Sequence, residues 1–185
     1  MVGCSFEVML AMASIFDIAL ERDMSPDQRR SLLRLEGQLR SKGLVPLSSG
    51  NGLENVPWIQ MVTVLHCLAT LIWMNRSVMG YDGTEGSHQA LVNRGLEILD
   101  KIEICECPWP MFIIACEAKR DEQRGLILEI ISRTRNKSGT GHLDVVHALI
   151  EAVWSFDELD VDLKSDYNVK LRRIIQTAHW IPPLA

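Results

Sequence analysis

The chain has 185 residues, of which 47% are hydrophobic, and it carries five tryptophans and eight methionines. That suffices for one domain with a substantial core, expected to run over residues 1–185, and leaves little for a second. With 19 Lys and Arg against 24 Asp and Glu, the net charge of −5 argues against a nucleic-acid surface on this chain alone, because phosphate binding needs concentrated basic charge. The basic clusters Arg29-Arg30 with Arg34 and Arg40, and residues 133–137, read as solvated helix faces and ends.

Taken in order, the segments predict helices almost everywhere and no strand. From Ser5 to Arg22 the apolar positions Phe6, Met9, Leu10, Ala13, Ile15, Phe16, Ala19 and Leu20 recur at three- and four-residue spacing, which lines one helical face. Ser25-Pro26-Asp27 supplies an N-cap, a proline in the first turn and an early acid, and Gly43 stands where the next helix should end. Leu44 to Asn55 is rich in Ser, Gly and Pro and reads as a loop, and a long central helix is expected from about Pro57. A connector at residues 81–86 leads to a helix over Ser87–Ile102. Cys107-Pro108-Trp109-Pro110 then introduces a helix on Met111 to Ala118, followed by one on Glu122 to Thr134 and a turn from Asn136 to Gly141. Leu143, Val146, Leu149, Ile150, Val153 and Trp154 mark an amphipathic helix, and Tyr167 to Ala178 the last one. The expected fold is all-α, a single compact bundle of about seven or eight helices with mostly short connections.

Five cysteines, Cys4, Cys67, Cys105, Cys107 and Cys116, lack the regular spacing of a secreted disulfide framework, so a reduced, intracellular protein of the cytoplasm or nucleus is expected. The apolar N-terminal run contains Glu7 and Asp17 and has no basic leader, unlike a signal peptide. Residues 58–79 are apolar enough to raise the question of a membrane span. Gln60, Thr63, His66, Thr70, Asn75 and Arg76 interrupt them, and a buried central helix with no membrane partner is the expectation. His66, Cys67, Cys105, Cys107 and Cys116 do not have the ligand spacing of a zinc site, so no metal is expected. Phosphate-binding loop, nucleophile-elbow, zinc-helix and dinucleotide motifs are all missing, and no cofactor is expected either.

The stretch Pro108-Trp109-Pro110-Met111-Phe112-Ile113-Ile114-Ala115-Cys116-Glu117-Ala118, with Asp121-Glu122-Gln123-Arg124 after it, resembles the C-terminal regulatory domain of fungal zinc-cluster transcription factors. Gly3-Cys4-Ser5 with Glu7 and Asp17-Ile18-Ala19, then Ser87–Ile102, Glu151-Ala152-Val153-Trp154, and the tail Trp180-Ile181-Pro182-Pro183-Leu184-Ala185 are similar to further family segments. The resemblance implies the C-terminal half of an all-α regulatory domain. The family's DNA reader is a separate six-cysteine module that nothing in this sequence matches. Met1 falls just before the Gly-Cys-Ser match, so the resemblance further implies that the family's preceding helices are absent. Apolar faces left open by such a loss call either for a partner or for an apolar ligand. A homodimer covering the first or central helix is the expected partner.

Candidate site residues concentrate on the central helix. His66 lies among Val62, Val64, Leu65, Leu68 and Leu71. It is either a core histidine with a hydrogen-bond partner or a catalytic polar contact in an apolar pocket, donating to a substrate carbonyl or carboxylate. Thr70 stands one turn away and offers a hydroxyl, or bonds back to the helix. Trp58, Met61, Trp73, Met74, Trp109 and Met111 suit the wall of a cavity for a bulky hydrocarbon skeleton, and equally a packed core. Glu117 and Arg124, seven apart, are expected to pair if one helix runs through both.

Three readings follow. In one, the domain binds an apolar secondary metabolite and catalyses its cofactor-free cyclisation or isomerisation, a pericyclic ring closure of a terpenoid or polyketide being the best fit. In another, it is a stand-alone regulator or cofactor of a biosynthetic gene cluster without DNA binding of its own. In the third, it is a truncated product with no function. The first is set slightly ahead of the second.

Overall fold

In a computed structural model of the chain, the structure describes residues 4–20, 23–44, 57–138, 142–159 and 167–177. Every regular element among them is an α-helix: α1 (Phe6–Leu20), α2 (Pro26–Gly43), α3 (Trp58–Ser77), α4 (Gly86–Lys101), α5 (Pro108–Cys116), α6 (Asp121–Ser138), α7 (His142–Leu159) and α8 (Tyr167–Thr177). The chain divides into two compact units, Met1–Ile102 and Glu103–Ala185.

In the first unit, α2 starts where local chemistry dictates. The Ser25 hydroxyl accepts from the Gln28 N–H at 3.2 Å, and the Gln28 side chain accepts from the Ser25 N–H at 2.7 Å. This reciprocal capping box satisfies two donors at the helix start, with Pro26 in the first turn. The helix ends at Gly43, which is buried because α2 crosses α3 there. A Cβ placed on Gly43 would lie 3.1 Å from the Cβ of Cys67, so a residue without a side chain suits this close approach.

Helix α3 is the core of this unit and packs against α1, α2 and α4. Val62, Leu65, Leu68, Ala69, Leu71, Ile72 and Met74 are all essentially inaccessible to solvent. Among the described residues it is also the one helix long and apolar enough to cross a membrane. Its packing against three neighbours accounts for that apolarity as a core helix. After α3 the chain reverses through Gly80 and Gly83, both at positive φ (72° and 89°). The Glu85 carboxylate fixes the reversal by accepting from the Asp82 and Gly83 N–H groups, each at 3.0 Å.

The second unit is built on α7, which packs against α5, α6 and α8. Helix α5 begins at Pro108 itself, so the Pro-Trp-Pro element forms its first turn rather than leading into it. Helix α6 extends through Ser138, past Asn136, where the sequence predicts the start of a turn. Ile127, Ile130, Ile131 and Thr134 recur at three- and four-residue spacing and form the buried face that carries the helix onward. The Leu44–Asn55 loop beyond Leu44 and the Trp180–Ala185 tail lie outside the described residues.

Candidate functional site

On α3, His66, Thr70 and Trp73 follow at spacings of four and three and so share one face, while Met61 and Trp58 fall on other faces. The polar groups of that shared face are turned back onto their own helix. His66 Nδ1 lies 2.8 Å from the Val62 carbonyl. A carbonyl only accepts, so Nδ1 carries the proton. The Thr70 hydroxyl donates to the His66 carbonyl at 2.7 Å, and two turns earlier Thr63 does the same to Ile59 at 2.8 Å. Each is a local bond to the residue four positions back, which satisfies the donor on its own helix. Burial holds the His66 imidazole below its ordinary pKa of 6.5, opposed in part by the Val62 bond, so the neutral form is favoured.

The remaining α3 candidates occupy different settings. Trp73 is half-buried and meets Phe16 of α1 edge-on, with ring centroids 4.5 Å apart and planes at 77°. That is the geometry aromatic quadrupoles prefer, and it fastens α1 to α3. Met74 and Thr70 are fully buried, Met61 is half-buried, and Trp58 is 43% exposed in the first turn beside Ile59. In the other unit, Trp109 and Met111 of α5 are buried. Among the described residues, no three of His, Cys, Asp and Glu come together as metal ligands.

The pairing expected between Glu117 and Arg124 is not formed as one helix face, because α5 stops at Cys116 and α6 starts at Asp121. The intervening turn breaks the seven-residue register. Arg124 instead donates to the Ala118 carbonyl at 3.2 Å, pairs with Glu158 of α7, and lies 5.2 Å over the Trp154 ring. Trp154 in turn donates its indole N–H to the Ala115 carbonyl at 2.8 Å. This cluster ties the end of α5 to α6 and α7.

Open grooves lie between neighbouring helices in each unit. One, of about 590 Å³, lies between α1 and α2, with Asp17, Asp27, Gln28, Ser31, Arg34 and Gln38 on its walls beside Ile18 and Leu35. The other, of about 820 Å³, runs between α7 and α8 and is largely apolar, lined by Ala148, Leu149, Ala152, Phe156, Leu159 and Ile174, with Arg173 and Gln176 also on its walls. Neither is lined by a residue of α3 or α5. The sequence contained a signal for the second groove: Ala148, Ala152, Ser155 and Leu159 recur beside the core stripe of α7, and the small alanines leave room above it.

The arrangement defines an all-α helical protein whose central helix α3 turns the His66, Thr63 and Thr70 donors back onto its own carbonyls. Sequence comparison gives the particular family. The fungal specific transcription factor domain matches residues 1–180, and the chain belongs to that family. It is also similar to the transcription factor iacI of Pestalotiopsis fici, 29% identical over 148 residues, covering 80% of this chain. The chain spans 36% of the length of that relative. No solved structure gives a significant match.

Proposed function

We propose that the chain works as a regulatory module in fungal transcription, acting through protein and small-molecule contacts rather than through its own contact with DNA. The observation that carries this reading is the family match over residues 1–180, joined by a relative that is itself a transcription factor. The net charge of −5 supports the second half of the statement. The nucleus is the compartment that role implies.

The reading includes an apolar small molecule as the signal and a second copy of the chain as partner. For the ligand, the α7–α8 groove supports it better than the α3 face: its volume and apolar lining suit a hydrocarbon skeleton, and Arg173 and Gln176 offer polar contacts. For the second copy, Phe6 and Leu10 stand one turn apart on α1 and are more than half exposed.

Cyclisation of such a metabolite at His66 gains no support from the family or the relative, whose descriptions name transcription. The geometry of the helix also commits the Nδ1 proton to Val62. Deletion of the gene, with transcript levels and the intermediates of its pathway measured in parallel, tests the proposal. Altered transcripts with every pathway enzyme still active are expected. Unchanged transcripts with one accumulating intermediate would reverse the order of the two readings.

A further inference from the structure

Helix α8 carries Lys170, Arg172 and Arg173 and no acidic residue, in a chain whose net charge is −5. Its neighbour α7 carries the opposite charge in Asp144, Glu151, Asp157 and Glu158. Each of these four acids is engaged elsewhere. Asp144 pairs with Arg135 at 2.6 Å, Glu151 lies 3.5 Å from His147 Nε2, Asp157 pairs with Lys170, and Glu158 pairs with Arg124. None of the four stands on the walls of the groove between α7 and α8, where Arg173 is the one charged residue among those described. The groove therefore presents positive charge within apolar walls.

The shape of the groove follows from α7. Ala148, Ala152, Ser155 and Leu159 line it at spacings of four, three and four, a stripe that runs for three turns, about 16 Å along the helix. The two exposed alanines supply its depth, because a methyl group leaves open what a longer side chain would fill. An elongated apolar skeleton covers such a stripe, whereas a compact ring system leaves part of it in water. The single guanidinium is matched by a single negative charge. Guanidinium and carboxylate meet through two parallel hydrogen bonds, and apolar surroundings strengthen such bonds relative to water. A cationic ligand would be repelled by Arg173 and would meet no carboxylate among the described wall residues.

We propose that the α7–α8 groove binds a monocarboxylic acid with a long hydrocarbon chain, the chain lying along the Ala148–Leu159 stripe and the carboxylate on the Arg173 guanidinium, with the Gln176 amide as a second donor. This ligand class rests on the reading in which an apolar small molecule is the signal at this groove, and it narrows that molecule to an amphiphilic anion. The ligand also has a structural effect. Lys170, one turn before Arg173, already ties α8 to Asp157 of α7. A carboxylate held by α8 on a chain that lies against α7 adds a second tie between the same two helices, so binding stabilises α8 in its docked position.

The test titrates the full chain with dodecanoate, dodecanol and dodecyltrimethylammonium, each below its micellar concentration, and follows binding by calorimetry. Dodecanoate is expected to saturate one site about tenfold more tightly than dodecanol, with the cation weakest of the three. Arg173→Gln, a change at an exposed residue, should bring the dodecanoate affinity down to that of dodecanol. Ala152→Trp fills the stripe from an exposed position and should abolish dodecanoate binding while the helical circular dichroism is retained. Dodecanol binding as tightly as dodecanoate would overturn the carboxylate assignment and leave the apolar signal standing. Failure of all three to bind would overturn both. Dodecanoate that still binds Ala152→Trp would place its site elsewhere and overturn the assignment. A native dimer that Ala152→Trp dissociates, with no dodecanoate bound by the native chain, would give the groove to a second copy instead.

Discussion

Helices α3 and α5 are each buried in their own unit, and they reach that state by opposite means. The longer α3 carries His66, Thr63 and Thr70 among its apolar residues and satisfies all three donors on its own carbonyls. The nine-residue α5 has no charged side chain and buries every residue after Pro108. A helix this short has few internal bonds, and although the Glu117 and Ala118 N–H groups close its last turn onto Ile114 and Ala115, side chains from other helices add to them. It therefore borrows: Trp154 of α7 donates to Ala115, and Arg124 of α6 donates to Ala118 just beyond its end. A self-sufficient helix concentrates its stability in its own packing. A borrowing helix spreads it over residues far along the chain.

The largest expected effect breaks packing alone. Ile114→Ala in α5 should cost about 3 kcal/mol in chemical denaturation, since the side chain is fully buried and the site has little room to collapse. Next comes the close crossing that seats α3. Gly43→Val should cost about 2 kcal/mol, because its Cβ meets the Cys67 Cβ, an atom next to the backbone that cannot swing aside. A smaller loss of about 1 to 2 kcal/mol is expected for Trp154→Phe, which keeps a ring but removes the donor to Ala115. If Trp154→Phe proved neutral, α5 would not depend on its neighbour as described.

The smallest effect concerns His66. Its folded pKa lies below the ordinary 6.5, so the unfolded chain binds more protons in that range, and stability should rise with pH. The contribution is fully present above 6.5 and is lost as pH falls through the lowered folded value. Denaturation midpoints followed between about pH 5 and 7 should therefore climb with pH, and His66→Gln should flatten the climb. An unchanged slope would assign it to other groups.

Much of the fold was legible because its signals are local. The Ser25-Pro26-Asp27 cap, the Gly43 terminus, and the start of the central helix at Pro57 all fall where the sequence places them. Spacing likewise marked the core stripes of α4 and α7. What was not legible depends on residues distant in sequence. The break between α5 and α6 redirected Arg124 to Glu158, 34 positions away, and no periodicity reports such a partner. The shared face of His66, Thr70 and Trp73 was visible in their spacing. Whether those side chains point to a ligand or to their own backbone was not, since both uses require the same residue types. The α7–α8 groove was hard to tell from core in the sequence, because an apolar groove wall and a core stripe share one periodic pattern.

The bond from the Trp154 indole to Ala115 gives the second unit a built-in optical gauge. While α5 is seated, that indole is shielded and held by a carbonyl, and its emission should lie toward the blue. Any event that lifts the end of α5 from α7 breaks the bond and admits water to the ring at the same moment. A red shift that Trp154→Phe abolishes would time that event directly, with no attached dye.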